Sequence, residues 1–254
     1  MTGGLDLARL FPAGTAVSFL TVYDWTGPEG IAGGSAHVHL ACTEGYVVLR
    51  GQGRLQTLGP DGYAETTLTP MTVAWFSPGV IHRLINDGDL QILVVMQNAG
   101  LPEAGDSVLT FPPGHLADPA TYRALASLPD PAAAAPGSPA GAARRRKDLA
   151  VEGFIQLRDQ VAEIGPKALD EFYAAAADLV RDTVPAWRER WEAGPLAAAV
   201  RTGQQLDQLS QGRLEYLQQG RLTVLSPPAE RGYGMCGRLA AYPPHLGPGP
   251  ARPS

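Results

Sequence analysis

The sequence predicts a mainly β fold, an antiparallel sandwich or barrel, followed by a smaller and mostly α-helical C-terminal region. Three observations carry this. Between residues 17 and 98, short β-rich runs recur at regular spacing, separated by Gly, Pro and Asp. From about Asp148 onward, apolar residues fall at helical spacing instead. Between the two lies a Pro-, Ala-, Gly- and Ser-rich stretch, residues 128–143, with almost no charge, which reads as a linker.

Taken in order, residues 17–23 and 44–49 read as strands. The Arg-Gly-Gln-Gly run at 50–53 reads as a turn, with 54–58 as the return strand of a hairpin, because both glycines tolerate positive φ. Gly59-Pro60-Asp61-Gly62 is a second turn signal, followed by strands at 64–68, 72–76, 82–85 and 90–97. Asp118 and Pro119 have the residue types of an N-cap and a first helical position, so a short helix is expected over 118–127. Leu149, Phe154, Leu157 and Val161 mark one helical stretch, ending at Gly165-Pro166. A second runs from Leu169 to about Trp191 and a third over 196–217, and short strands are expected at 221–225 and 235–242. The last dozen residues read as a loose tail.

Composition narrows the function. A formal net charge of −5 argues against a general nucleic-acid binder, which needs a basic face to neutralise phosphates. The Arg-Arg-Arg-Lys run at 144–147 reads as a solvated edge of the linker. No apolar stretch approaches the roughly 20 residues that span a bilayer. Residues 1–11 lack a basic segment followed by an apolar run, so no signal peptide is expected and the protein is expected to be cytoplasmic. Cys42 and Cys236 are expected to be reduced thiols, with Cys42 a small buried hydrophobe.

The chemistry concentrates in two segments. In His37-Val38-His39, two imidazoles separated by one residue on a strand point to the same face, because strand side chains alternate. A short turn then brings Glu44 to the start of the next strand, where an antiparallel neighbour would place its carboxylate near the same point. A further ligand is offered by His82, after the Pro78-Gly79 turn. Three of the five histidines fall in these two segments. Imidazoles and a carboxylate suit a divalent metal such as Fe, Mn, Ni or Zn.

These segments resemble the two motifs of the cupin superfamily. The first is His-x-His, four residues, Glu, six residues, Gly, matched by His37, His39, Glu44 and Gly51. The second ends in Gly, two residues, His, three residues, Asn, matched by Gly79, His82 and Asn86. Some turn positions depart from the pattern: Met71 and Ser77 stand where the family usually has Gly and Pro, and Ile31 where it has the leading Gly. The resemblance covers roughly residues 15–100. It implies a jelly-roll-like barrel with His37, His39, Glu44 and His82 around a divalent metal inside it, and a homodimer through barrel edges. The expected organisation is then a barrel unit at 1–127, a linker with its basic run at 128–147, a helical region with short terminal strands at 148–242, and a tail at 243–254.

Side-chain parity places Tyr46 and Val48 on the face of Glu44, and Leu84 and Asn86 on that of His82. Tyr46 is the candidate hydrogen-bond donor or acid, while Asn86 reads as the residue closing its strand. The deduced lining is otherwise apolar, with no Arg or Lys cluster to hold a phosphate, which fits a small organic ligand. Two classes of function stay open. One is a metal-dependent enzyme of dioxygenase, isomerase or lyase type. The other is a non-catalytic binding or sensing protein whose helices, including the Trp187 and Trp191 stripe, mediate association. Acid or base groups in the pocket beyond the metal ligands would favour the enzyme.

Overall fold

The computed structural model describes residues 10–129 and 138–242, so residues 1–9, the centre of the expected linker (130–137) and the expected tail (243–254) lie outside the described residues. The β-rich half forms a nine-stranded antiparallel sheet. Its strands are β1 (Ala16–Val22), β2 (His37–Val38), β3 (Glu44–Gly59), β4 (Gly62–Leu68), β5 (Val73–Phe76), β6 (Ile81–Met96), β7 (Val108–Leu109), β8 (Gly232–Tyr233) and β9 (Gly237–Ala241). The main path runs β4-β3-β6-β1-β9-β8, with β5 on β3 and β2 bridging β6 and β7.

Two 16-residue strands, β3 and β6, make the frame. They pair along their whole length, from Glu44↔Met96 to Leu58↔Ile81, with register shifts between Val48 and Gly53. The expected hairpin at 50–53 is therefore a bend within one continuous strand. Gly51 takes a φ of 76°, and a Cβ there would lie 2.2 Å from the Asp89 carbonyl oxygen. The two glycines serve close approach of backbone to backbone, which is a bulge signature as much as a turn signature. The matching bend in β6 is held by Asn86. Its side chain donates to the Val22 carbonyl at 3.0 Å and accepts from the Gly88 and Leu90 amides at 3.2 and 3.1 Å. The segments expected as separate strands at 82–85 and 90–97 are thus one strand.

The helices are α1 (Pro113–Leu116), α2 (Pro119–Ala126), α3 (Pro139–Ile164), α4 (Leu169–Val180), α5 (Val184–Trp191) and α6 (Ala197–Ser210). Asp118 caps α2 as expected, accepting from the amides of Ala120 and Thr121. Helix α3 starts earlier than expected. Ser138 accepts from the Gly141 amide at 3.1 Å, Pro139 takes the first turn, and Ala and Arg carry the helix onward. Residues 139–147, expected as linker, are helical, and two of the basic residues are buried rather than solvated: Arg146 is 7% and Lys147 1% exposed. The strand expected at 221–225 does not form; Leu222 and Val224 are exposed and have no sheet to join.

The helices do not stand apart. Ala150, Phe154, Leu157 and Val161 of α3 and Phe172 and Ala176 of α4 pack on Val38, Leu58, Ile81 and Val108. Contact is close at Gly153, where a Cβ would sit 1.9 Å from the Thr110 carbonyl oxygen. Trp187 packs into the other core cluster and donates its indole N–H to the Ala104 carbonyl at 3.1 Å. After α6 the chain returns to the sheet, where β9 pairs with β1 from Ser18↔Ala241 to Val22↔Gly237. Among the described residues, no helix is long and apolar enough to cross a membrane.

Met71, at a site where the family motif usually has Gly, has a φ of 72° and is 83% exposed. Left-handed backbone costs an L-residue about 1–2 kcal/mol, and the greater chain entropy of Gly offsets about half of that. Met71→Gly is expected to raise stability by up to about 1 kcal/mol, read as a melting point higher by roughly 2–4 °C. An unchanged or lower melting point would contradict the assigned strain.

Candidate metal centre

His37, on β2, sits directly opposite His82, on β6. Glu44 does not come from a strand paired with β2, as the sequence suggested. It opens β3, paired there with Met96 and Phe76, and reaches the histidines across the barrel interior. The predicted set is brought together: one ligand atom each from His37, His39, Glu44 and His82 lie within 4.8 Å of one another, and all four residues are buried.

The outer nitrogens decide what the inner ones present. His37 Nδ1 lies 3.2 Å from the Ser35 carbonyl, His82 Nδ1 lies 3.0 Å from that of Val80, and His39 Nδ1 bonds the Asp106 carbonyl. A carbonyl only accepts, so each Nδ1 carries the proton and donates it outward. In the neutral rings each Nε2 then turns a lone pair inward. There the His82 and His37 Nε2 atoms are 3.2 Å apart, and Glu44 Oε2 is 2.9 Å from His82 Nε2 and 3.3 Å from His39 Nε2. Glu44 Oε2 is buried and has no hydrogen-bond donor. Bonds of about 2.1 Å at right angles around one ion would place neighbouring donor atoms about 3 Å apart, which is the spacing found. The donor set therefore fits a divalent cation.

Proton affinities in the metal-free site reflect the same crowding. Burial, then the neighbouring imidazoles His82 and His39, hold His37 well below the ordinary histidine range. Burial also works against a charge on His39, but Asp106 behind the ring and the Glu44 carboxylate beside it outweigh this and push it up to about 10. Burial works against a charge on Glu44, but the imidazoles of His39 and His82 beside its carboxylate overcome this and hold it well below the usual carboxylate range.

The sequence reading missed Asp106. It is fully buried, and its Oδ1 accepts from the amides of Leu40 and Ala41 at 3.0 and 2.9 Å, so one residue holds both the His39 ring and the turn that leads to Glu44. A carboxylate or carbonyl behind a ligand histidine is expected of such sites, but no local pattern in the sequence singles out this aspartate.

A cavity of about 260 Å³ opens beside the cluster, lined by His37, His39, Glu44 and Tyr46. Val48, Leu84 and Asn86, placed on these faces by parity, do not line it: the first two are core, and Asn86 ties the β6 bend. Leu20 of β1 and Val94 and Met96 of β6 form apolar walls. The C-terminal return adds Met235, Cys236 and Leu239, and α3 adds Arg146. Burial, reinforced by the Glu44 charge, pushes the Tyr46 phenol well above its ordinary range, so Tyr46 keeps its proton. Cys42 and Cys236 are buried and unpaired, and His115 lies in α1, outside the cluster.

No family model and no curated protein matches the sequence. Similar solved structures include CapF, a capsular polysaccharide assembling protein from Staphylococcus aureus, at 19% identity and a TM-score of 0.26 over 32% of this chain and 22% of that one. A cupin superfamily protein from Desulfitobacterium hafniense matches at 17% identity and a TM-score of 0.26, over 32% and 64% of the two chains. Pac13 of Streptomyces, with uridine, matches at 12% identity and a TM-score of 0.30, over 39% and 69%. The chain thus spans about a fifth of the length of CapF and just under two thirds of the Desulfitobacterium protein. Likeness at this level says nothing of activity, and the fold rests on the strand pairing and the site itself.

Asp106→Ala leaves two largely shielded amides without their acceptor. It is expected to lower the stability of the metal-free protein by about 1–3 kcal/mol, measured by urea denaturation, with Asp106→Asn, which keeps an acceptor oxygen, losing less. Equal loss in both variants would show that the carboxylate does not hold this turn.

Proposed function

The barrel has the cupin fold, and from that premise we propose that His37, His39, Glu44 and His82 bind one divalent metal ion and that a small organic metabolite occupies the cavity beside it. The observation that carries this is the orientation of the three imidazoles. Each is locked by a backbone carbonyl with its Nε2 turned inward, toward a buried carboxylate oxygen that has no donor of its own. Buried lone pairs at such spacing repel one another unless a positive charge sits among them. Fe, Mn, Ni and Zn all suit the donor set.

An ion held by these four residues would supply Lewis-acid polarisation or dioxygen activation. Tyr46 favours an enzyme over a passive binder. Its phenol keeps a proton beside Glu44 in the same cavity, so it can donate a hydrogen bond to an oxygen of the metabolite on which charge develops. The alternative, a binding or sensing protein, gains support from the helices, which seal the barrel without adding a carboxylate or histidine of their own to the cavity. The two buried thiols agree with a cytoplasmic location. A homodimer would find an unpaired strand edge at β5, where Val73 and Trp75 are exposed.

Elemental analysis of the purified protein is the test. About one equivalent of a divalent transition metal per chain is expected, with most of it lost in His82→Ala and retained in Tyr46→Phe. A chelator is expected to lower the melting temperature of the wild type and leave that of His82→Ala nearly unchanged. A wild-type protein that takes up none of the four metals on reconstitution would overturn the proposal.

A further inference from the structure

We infer that the ligand of the cavity is a small carboxylate with an apolar body, and that Arg146 meets its charge. This rests on the reading of the cavity as the metabolite site. Three basic side chains are buried among the described residues. Two have a carboxylate partner: Arg83 with Glu29 and Lys147 with Asp148, each at 2.7 Å. Arg146 has none among the described residues, although it is 7% exposed and lines the cavity that His37, His39 and Glu44 also line.

Its hydrogen bonds are also incomplete. Of the five N–H donors of a guanidinium, one is taken by the Ala126 carbonyl at 3.1 Å and one by the Gly234 carbonyl at 2.8 Å. Its Nε is buried with no partner among the described residues. A tether between two carbonyls needs only a neutral donor, and a buried cation without a counter-charge is an expensive way to make one. A carboxylate accepting from the unused N–H groups supplies both the missing charge and the missing acceptors. The other acidic lining residue outside the metal set, Glu103, is exposed and already accepts from the Gly100 amide at 2.8 Å.

The walls and the count of charges define the class. Leu20, Val94, Met96 and Leu239 offer apolar surface to the rest of the molecule. Arg146 is the one Arg or Lys among the described lining residues, and its guanidinium matches the single charge and the two oxygens of a carboxylate.

The test is calorimetric titration of the full chain, reconstituted with Mn(II), using phenylacetate and its neutral counterpart phenylacetamide as probes. The wild type is expected to bind phenylacetate about tenfold or more tightly than the amide. Arg146→Gln should abolish that preference while leaving affinity for the amide within about twofold, and Arg146→Lys should keep part of it. Equal binding of the two probes by the wild type, no phenylacetate binding at millimolar concentration, or a folded Arg146→Gln that keeps the preference would each overturn the inference. If Arg146→Gln fails to fold, the wild-type probe pair and Arg146→Lys decide. His82→Ala separates this from the metal proposal. A preference that vanishes with the metal but survives in Arg146→Gln makes the anion a metal ligand and removes the role of Arg146. A preference lost in Arg146→Gln in a protein that takes up no metal supports Arg146 and removes the metal.

Discussion

Four electron-pair donors held in one buried volume set the terms for this molecule. Imidazole rings left to themselves would turn so that one nitrogen donates to the carboxylate, and the cluster would close on its own hydrogen bonds. The protein prevents this from behind. The carbonyls of Ser35, Val80 and Asp106 each accept from an Nδ1, which fixes both the tautomer and the direction of every ring. The inward face is then electron-rich, an arrangement that a bound cation would compensate. Asp106 behind the His39 ring and the Glu44 carboxylate beside it push that imidazole up to about 10 despite its burial.

That placement depends on two long bent strands. Because β3 and β6 run unbroken through a bulge, the first half of β3 faces the second half of β6 and the reverse. His82 at the start of β6 and Glu44 at the start of β3 therefore lie far apart along the ladder, yet meet once the sheet curls. Gly51 and Gly53 allow the curl: a Cβ on either would come within 2.2 Å of a carbonyl oxygen on the facing strand. Asn86 performs the matching task in β6 with bonds of its own side chain. The last residues of the two motifs, Gly51 and Asn86, are thus bending devices, while the histidines and the glutamate are the chemistry they position.

Features written along the chain were legible in it. The alternation of strand side chains put His37 and His39 on one face, the motif spacing joined them to Glu44 and His82, and Tyr46 fell into the cavity by parity. Features that depend on what packs against a segment were not. A Gly-x-Gly run is compatible with a hairpin or a bulge, and only the partner strand chooses. Ser138-Pro139 was a readable helix start, but it lay inside an Ala- and Pro-rich run whose composition spoke for a linker. Asp106 and Arg146 arrive from 67 residues and more beyond the ligands they stand near, through a turn and a helix that no local pattern ties to the barrel. Met71 is the converse case: its departure from the motif is visible in the sequence, and its positive φ shows that the backbone kept the turn regardless.

The C-terminal region changes meaning once its contacts are known. As a sequence it resembles an appendage joined by a linker, suited to holding a partner. In the structure its first helix buries Gly153 against the barrel backbone and carries Arg146 to the cavity, and its last strand pairs with β1. Arg146 in turn bonds the Gly234 carbonyl, so the cation and the segment that supplies Met235 and Cys236 to the cavity wall are held together. The barrel provides the three imidazoles, the Glu44 carboxylate and the Tyr46 phenol, but among the described residues no Arg or Lys of its strands faces the cavity. The helical half adds a cation and part of the wall. A pocket assembled from both halves of the chain is a reason for the two to be one polypeptide, and it ties the choice of ligand to residues outside the motifs that identify the fold.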